Sequence, residues 1–371
     1  MAPSYIIAFL LVCITVKSTG QGIIIPILTL AYESLYFIAV CTSVQFVLIF
    51  GCIFVIITKG KIFLPPNKLS ILLCGFFNGL MAITMIYAAN PTRTPIIIQT
   101  VLAGLPIIPS FILRKIYLDK KTVYNKRYLV PSILLLIGSL CVLTIPTYKT
   151  FNLTNIGWIL CYLFGIICMS AYNVIQEKYI IDTKDNTFLN KITLVFYSRI
   201  AELMVIIAFC WLDIYLGYVD DGFQAFINSL YFFGTNYKYA LLLELFILLF
   251  VLSYILSVYL NSISTNYNML TPAIANPLVA LFFTSFDQFN PGIKYPIWVI
   301  IITIVLSTLS IILWIRGEKQ GPSGILSRVH RDSRRPAYNA VPDSEGISET
   351  SGSALQSQSS LATFLDRTQT K

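Results

Sequence analysis

Arg199 and Glu202 are the first residues in this chain whose types and spacing point to chemistry. Three residues apart, they share one face of a helix and can pair. They lie about ten residues into an apolar run, roughly 15 Å deep in a bilayer. A charge at such depth costs about 2.5–3.5 kcal/mol even on the lenient insertion scale, so it is functional by default. The expected role is proton or cation coupling, with Glu202 as the titrating site and Arg199 holding it when empty. Glu244, in the next apolar run, is a second coupling candidate; the bland reading is a side chain that snorkels to the interface. Glu177, in Gln176-Glu177-Lys178, closes its run beside a cation and suits a gate or an interfacial ion pair. Among neutral groups, Gln99, Thr94, Tyr197 and Asn276 are the candidates for solute contact, with Thr100, Ser198, Gln45 and Asn173 as weaker ones. Interhelical glue is the competing role for each.

Other chemistry is missing from the pattern. The lone histidine, His330, sits in a polar tail, so no imidazole relay is expected and coupling falls to carboxylates. No Gly-x-x-x-x-Gly-Lys-Ser/Thr loop is present to hold ATP. The eight cysteines fall in apolar runs without metal-ligand spacing and read as small buried hydrophobes. Neither an enzyme, a resident cofactor nor a metal site is expected.

The elements that must position these groups follow from composition. Of 371 residues, 56% are hydrophobic and 12% charged, against roughly 25% charged in soluble domains. Apolar stretches near bilayer length, about 20 residues, give ten spans. They are Ser4–Gly22, Leu35–Ile57, Leu69–Ala89, Thr94–Leu113, Tyr128–Thr147, Ile156–Gln176, Ile192–Leu216, Tyr239–Leu260, Met269–Phe286 and Tyr295–Ile315. In the first, Lys17 interrupts and Gly20-Gln21-Gly22 is expected to break the helix. A signal peptide is the weaker alternative, lacking a basic start and a small-residue cleavage site.

Twelve Lys and Arg fall in the connections on one side against five on the other, counting Lys17 of the first span with Arg93, Lys149, Lys238 and Lys294, and the basic tail is on the richer side. The positive-inside rule then places both termini in the cytosol. The net charge of +9 is thus a topology signal, and no nucleic-acid partner is implied. Asn152, in Asn152-Leu153-Thr154, is a glycosylation sequon on the opposite side. The connection 217–238 reads as a packed cap. Residues 317–371 have no hydrophobic periodicity and are expected to be disordered in the cytosol. There, Tyr338-Asn339-Ala340-Val341 fits a sorting-adaptor pattern, and Ser333 between Asp332 and Arg334 fits a phosphosite.

A short repeat organises the spans. Tyr87, Asn90, Thr94 and Pro106 are echoed by Tyr259, Asn261, Thr265 and Pro277, relating span 4 to span 9. Residues 1–147 and 148–316 then form two five-span halves, and an odd number of spans inverts the second. Inverted repeats with proline-broken spans in matching positions mark a midplane site in transporters. The helix-bend candidates are Pro106, Pro109, Pro272 and Pro277; the bland reading is a bend past a neighbour.

Arg93-Thr94-Pro95-Ile96-Ile97-Ile98-Gln99, with the basic exit Arg114-Lys115, resembles the fourth-span region of chloroquine-resistance-transporter-like proteins, within the drug/metabolite transporter superfamily. Ser264-Thr265 and Ile274-Ala275-Asn276-Pro277-Leu278-Val279-Ala280 are similar to that family's ninth span, and Leu189-Asn190 is a weaker echo at the seventh. Gln176-Glu177-Lys178 is similar to the sixth-span exit across the superfamily, nucleotide-sugar carriers included. These motifs cover about a fifth of the chain, and the ten-span plan about 310 residues. The resemblance implies a central cavity lined by spans 1–4 and 6–9, with spans 5 and 10 outside. It also implies proton-coupled transport of small cationic, amino-acid-like or peptide-like solutes at vacuolar, lysosomal or plastid membranes. Parasite members carry cysteines in the loop between spans 7 and 8, and residues 217–238 have none.

The expected function is therefore secondary active transport by alternating access in an endolysosomal or vacuolar membrane, with a small solute and protons as the partners in the bilayer. A nucleotide-sugar or sugar-phosphate antiporter is the alternative. It needs cations facing the cavity, and the spans offer only Lys17 and Arg199. A non-transporting scaffold acting through the cytosolic tail is the reading from a different class.

Overall fold

The computed structural model of the protein describes residues 4–61, 63–118, 125–144, 156–183, 187–216, 219–286 and 296–319. Asn152, His330, Ser333, Tyr338 and the tail from 320 onward lie outside the described residues. All regular structure among the described residues is helical. The first half comprises α1 (Ser4–Ala31), α2 (Leu35–Thr58), α3 (Lys68–Ala88), α4 (Ile96–Leu102), α5 (Ile107–Tyr117) and α6 (Lys126–Thr144). Then come α7 (Ile156–Thr183), α8 (Phe188–Ala208), the short α9 (Leu212–Tyr215), α10 (Gly222–Thr235) and α11 (Tyr237–Asn261). The chain continues through α12 (Thr265–Leu270) and α13 (Pro272–Ser285) to α14 (Ile297–Lys319).

Seven helices among the described residues are long and apolar enough to cross a membrane. The expected spans outside those seven are α6, α8 and the broken α12–α13. Lys191, Arg199 and Glu202 lower the apolarity of α8, and α13 alone has 14 residues. Large apolar side chains such as Val12, Leu48, Leu72, Ile116, Leu134, Met204, Leu248 and Ile301 stand exposed on the helices. Water would penalise such a surface, whereas hydrocarbon does not. The protein is an all-α polytopic membrane protein.

Local chemistry starts the helices. The side chains of Ser34, Asn67, Thr187, Asp221 and Ser264 each accept from a backbone N–H in the following turn, at α2, α3, α8, α10 and α12 respectively. α2 stops where Lys59 takes a left-handed conformation at φ 52° and Gly60 follows at φ 75°.

The expected break at Gly20-Gln21-Gly22 does not occur: α1 runs unbroken through it and through Pro26 to Ala31. Tertiary packing supplies the reason. A Cβ on Gly20 would come within 2.7 Å of Leu249, and one on Gly22 within 2.8 Å of Val279. The glycines serve close approach to α11 and α13 rather than a turn. Gly75 and Gly79 do the same between α3 and α8, since added Cβ atoms would collide with Ala201 and Val205. This small-xxx-small spacing lets the helices press together and brings Glu202 against Asn78. The largest buried apolar cluster joins α1, α2, α3, α7, α8 and α11, while α6 and α14 pack mainly on each other.

The eighth helix is also shorter than the expected span 7, ending at Ala208. The chain then turns through α9 and α10, so the connection 217–238 is largely helical.

Candidate functional site

A cavity of about 210 Å³ opens between the helices. Its walls come from α1, α2, α3, α4, α7, α8, α11, α12 and α13, whereas α6 and α14 contribute no lining residue. Lys17 and Glu202 are the charged side chains that line it. Lys17 is buried, and its Nζ donates to Ser253 Oγ at 2.6 Å. Glu202 meets Arg199 with Oε2 2.5 Å from Nη1, and both side chains are sealed from solvent. Arg199 stays behind the wall, its guanidinium carbon 3.9 Å from the Tyr254 ring centroid and 5.4 Å from that of Tyr172. Aromatic faces thus share the positive charge with the carboxylate. Asn78 Nδ2 donates to Tyr254 Oη at 3.2 Å and fixes that ring.

The solute-contact candidates separate. Gln99 lines the cavity, but its Nε2 donates to the carbonyl oxygens of Ala89 (2.7 Å) and Thr94 (2.6 Å), so its amino group holds the α3–α4 connection. Asn276 lines the cavity with its Nδ2 unpartnered. Thr94 is buried away from the lining. Tyr197 is not part of the wall either: its ring packs on Phe54 and Phe196, at 5.9 and 5.2 Å between centroids. Tyr162, Tyr172, Tyr254, Phe46, Phe246 and Phe250 form the aromatic wall instead. Glu244 is likewise outside the cavity, exposed, and accepts from Gln45 Nε2 at 2.7 Å.

Two of the four prolines, Pro106 and Pro272, stand at helix breaks, and Pro109 and Pro277 lie inside helices. Between α4 and α5 the chain turns through Ala103-Gly104-Leu105, with Pro106 at the N-cap of α5 and Pro109 in its first turn. Thr271-Pro272 separates α12 from α13, and Pro277 lies inside α13. Side chains meet the backbone carbonyls there: Ser170 Oγ donates to Pro106 O at 2.9 Å, and Thr271 Oγ1 to Asn268 O at 2.7 Å. A carboxamide network fills the second break. Asn173 Oδ1 accepts from Asn261 at 2.7 Å and from Asn268 at 2.9 Å, while Asn261 also donates to Gln176 Oε1.

Two buried carboxylates tie the ends of the bundle. Glu177 receives Arg114 through Nε at 3.1 Å to each oxygen and Nη2 at 2.8 Å. Its Oε2 also accepts from the backbone N–H of Thr265 at 3.1 Å, which joins α5, α7 and α12. Near the α1–α2 turn, Asp213 accepts from Tyr87 Oη, from Ser34 Oγ at 2.5 Å and from the N–H of Tyr36 at 3.4 Å. Ser229 Oγ accepts from the N–H of Ser34 at 2.9 Å, bringing in α10. Sequence reasoning missed Asp213, Tyr87, Ser34 and Asn78 because their partners lie far along the chain. Gly75-x-x-x-Gly79 was the available signal for Asn78, since it marks the helix face pressed on α8. Lys17 read as an interruption of its span and as one of two cations available to a phosphate-bearing solute; its place on the cavity wall came from the packing.

No family model and no curated protein matches the chain. A solved structure described as "Crystal structure of protein" superposes with a TM-score of 0.53 at 11% identity, over 84% of this chain and 98% of its own. At that identity the likeness is one of fold.

Proposed function

We propose that this protein is a proton-coupled secondary transporter of small organic solutes, working by alternating access on ten spans in two inverted halves. The carrying observation is the central cavity, walled by eight of the ten expected spans and holding Glu202 and Lys17 among neutral polar and apolar side chains. Spans 5 and 10 (α6 and α14) stand outside it, as the resemblance to the drug/metabolite transporter superfamily implies.

The packing supports a two-fold repeat, which the odd number of spans per half would invert. Exchanging spans 1–5 for 6–10 turns the α3–α7 contact into α11–α1, and the α5–α7 contact into α13–α1, and all four occur. The α6–α14 and α2–α8 contacts map onto themselves. Spans 4 and 9 are both broken helices, as a midplane site requires.

In this reading Glu202 carries the proton and Arg199 receives the carboxylate when it is empty. Glu177–Arg114 is the cytosolic gate, the Asp213 cluster is the opposite gate, both termini are cytosolic, and the membrane is endolysosomal or vacuolar. Amino-acid-like or peptide-like solutes fit the paired polar and apolar walls. Lys17 in the cavity also favours the second reading, an antiporter of nucleotide sugars or sugar phosphates, whose phosphates need a cation there.

Uptake into proteoliposomes under an imposed pH gradient tests the mechanism. Flux should follow the gradient in wild type and lose that dependence in Glu202→Gln. Flux indifferent to the gradient, or unchanged coupling in the variant, removes it.

A further inference from the structure

Lys17 has three N–H donors, and the hydroxyl of Ser253 accepts one of them. It is 8% exposed, lines the cavity, and makes no ion pair among the described residues. The other charge on the wall, Glu202, is matched by Arg199 at 2.5 Å. The ammonium is therefore the uncompensated charge of the lining. Keeping such a charge out of water is costly unless an opposite charge accompanies it.

The groups around it are also short of acceptors. Gln21 lies one helical turn further along α1, lines the same cavity, and has an Nε2 with no partner. Asn276 Nδ2, on a side chain 7% exposed, has none either. Gly22 packs against Val279, three residues beyond Asn276, so α1 and α13 adjoin at this level. Three nitrogen groups thus face one cavity with donor capacity unused, which suits an oxyanion; the acceptors on the same wall include Asn78 Oδ1 and the Arg199-paired Glu202. Met81, Ile86, Phe246 and Phe250 supply an apolar part of the wall, beside polar groups such as Ser18, Thr42 and Ser43.

We infer that Lys17, with Gln21 and Asn276, is a head-group subsite that takes an oxyanion, carboxylate or phosphate, carried on a small solute with an apolar body. The inference rests on reading the cavity as a solute site, and it does not require flux.

The test uses purified full-length protein in detergent and three probes: benzoate, its uncharged counterpart benzamide, and inorganic phosphate. Wild type should bind benzoate at least about tenfold more tightly than benzamide, a comparison that needs no variant. Lys17→Met should erase that preference, and Lys17→Arg should keep it. Phosphate should compete with benzoate in wild type if the subsite takes any oxyanion. Failure to compete narrows the subsite to carboxylates and leaves it standing. Equal binding of benzoate and benzamide by wild type, or a preference that survives Lys17→Met, overturns the subsite. Benzoate binding through Lys17 without flux in proteoliposomes keeps the subsite and removes the transport reading. Gradient-driven flux together with Lys17-independent binding does the reverse.

Discussion

The two ends of the bundle are tied by carboxylates, but by opposite kinds of partner. Glu177 meets a guanidinium through two of its nitrogens and adds one backbone N–H, so its charge is neutralised where it sits. Asp213 is held by a phenol, a hydroxyl and an N–H, with no ion pair among the described residues. A charge-neutralised tie resists opening until the ions separate into a medium that can solvate them. A tie made of neutral donors is released as soon as water replaces those donors, since water can serve the same carboxylate. In the transport reading proposed above, the Asp213 end is thus the easier gate to open and the Glu177 end the firmer one.

Substitutions at the two ends can break this contrast. Glu177→Gln leaves Arg114 without its counter-ion and should cost about 3 kcal/mol, seen as a lowered thermal midpoint of the purified protein. Asp213→Asn keeps the shape but turns one acceptor into a donor facing donors, at about 1–3 kcal/mol. A larger loss for Asp213→Asn than for Glu177→Gln would reverse the contrast. Tyr87→Phe removes one donor to a charged acceptor and leaves the others, so about 1–2 kcal/mol is expected. Its midpoint should fall between those of wild type and Asp213→Asn. Tyr197→Phe, outside both ties and the cavity, should change the midpoint by less than about 0.5 kcal/mol and leave benzoate binding as in wild type. Altered binding in that variant would return Tyr197 to the solute wall.

Much of this was legible along the chain. Spans showed as apolar runs because hydrocarbon sets both their length and their composition. The broken spans showed as proline and glycine steps at Pro106 and Pro272. Arg199 and Glu202 showed as partners because three residues on a helix return to the same face. Glu177 showed as an ion-pair residue, although its partner is Arg114 and not the adjacent Lys178.

The remainder depended on how each helix is rotated against its neighbours. Lys17 and Glu244 are both ionisable groups in apolar helices, yet Lys17 faces the cavity and Glu244 stands exposed. Gln99 and Tyr197 were both candidates for solute contact, and of the two only Gln99 reached the lining. Local sequence determines which side chains share a helix face. Which face turns inward is decided by close approaches such as Gly22 on Val279 and Gly75 on Ala201, between residues more than a hundred positions apart. The sequence by itself therefore determined a bundle of membrane helices with breaks and a buried ion pair. Tertiary packing alone decided which polar groups face the cavity and which carboxylates tie its ends.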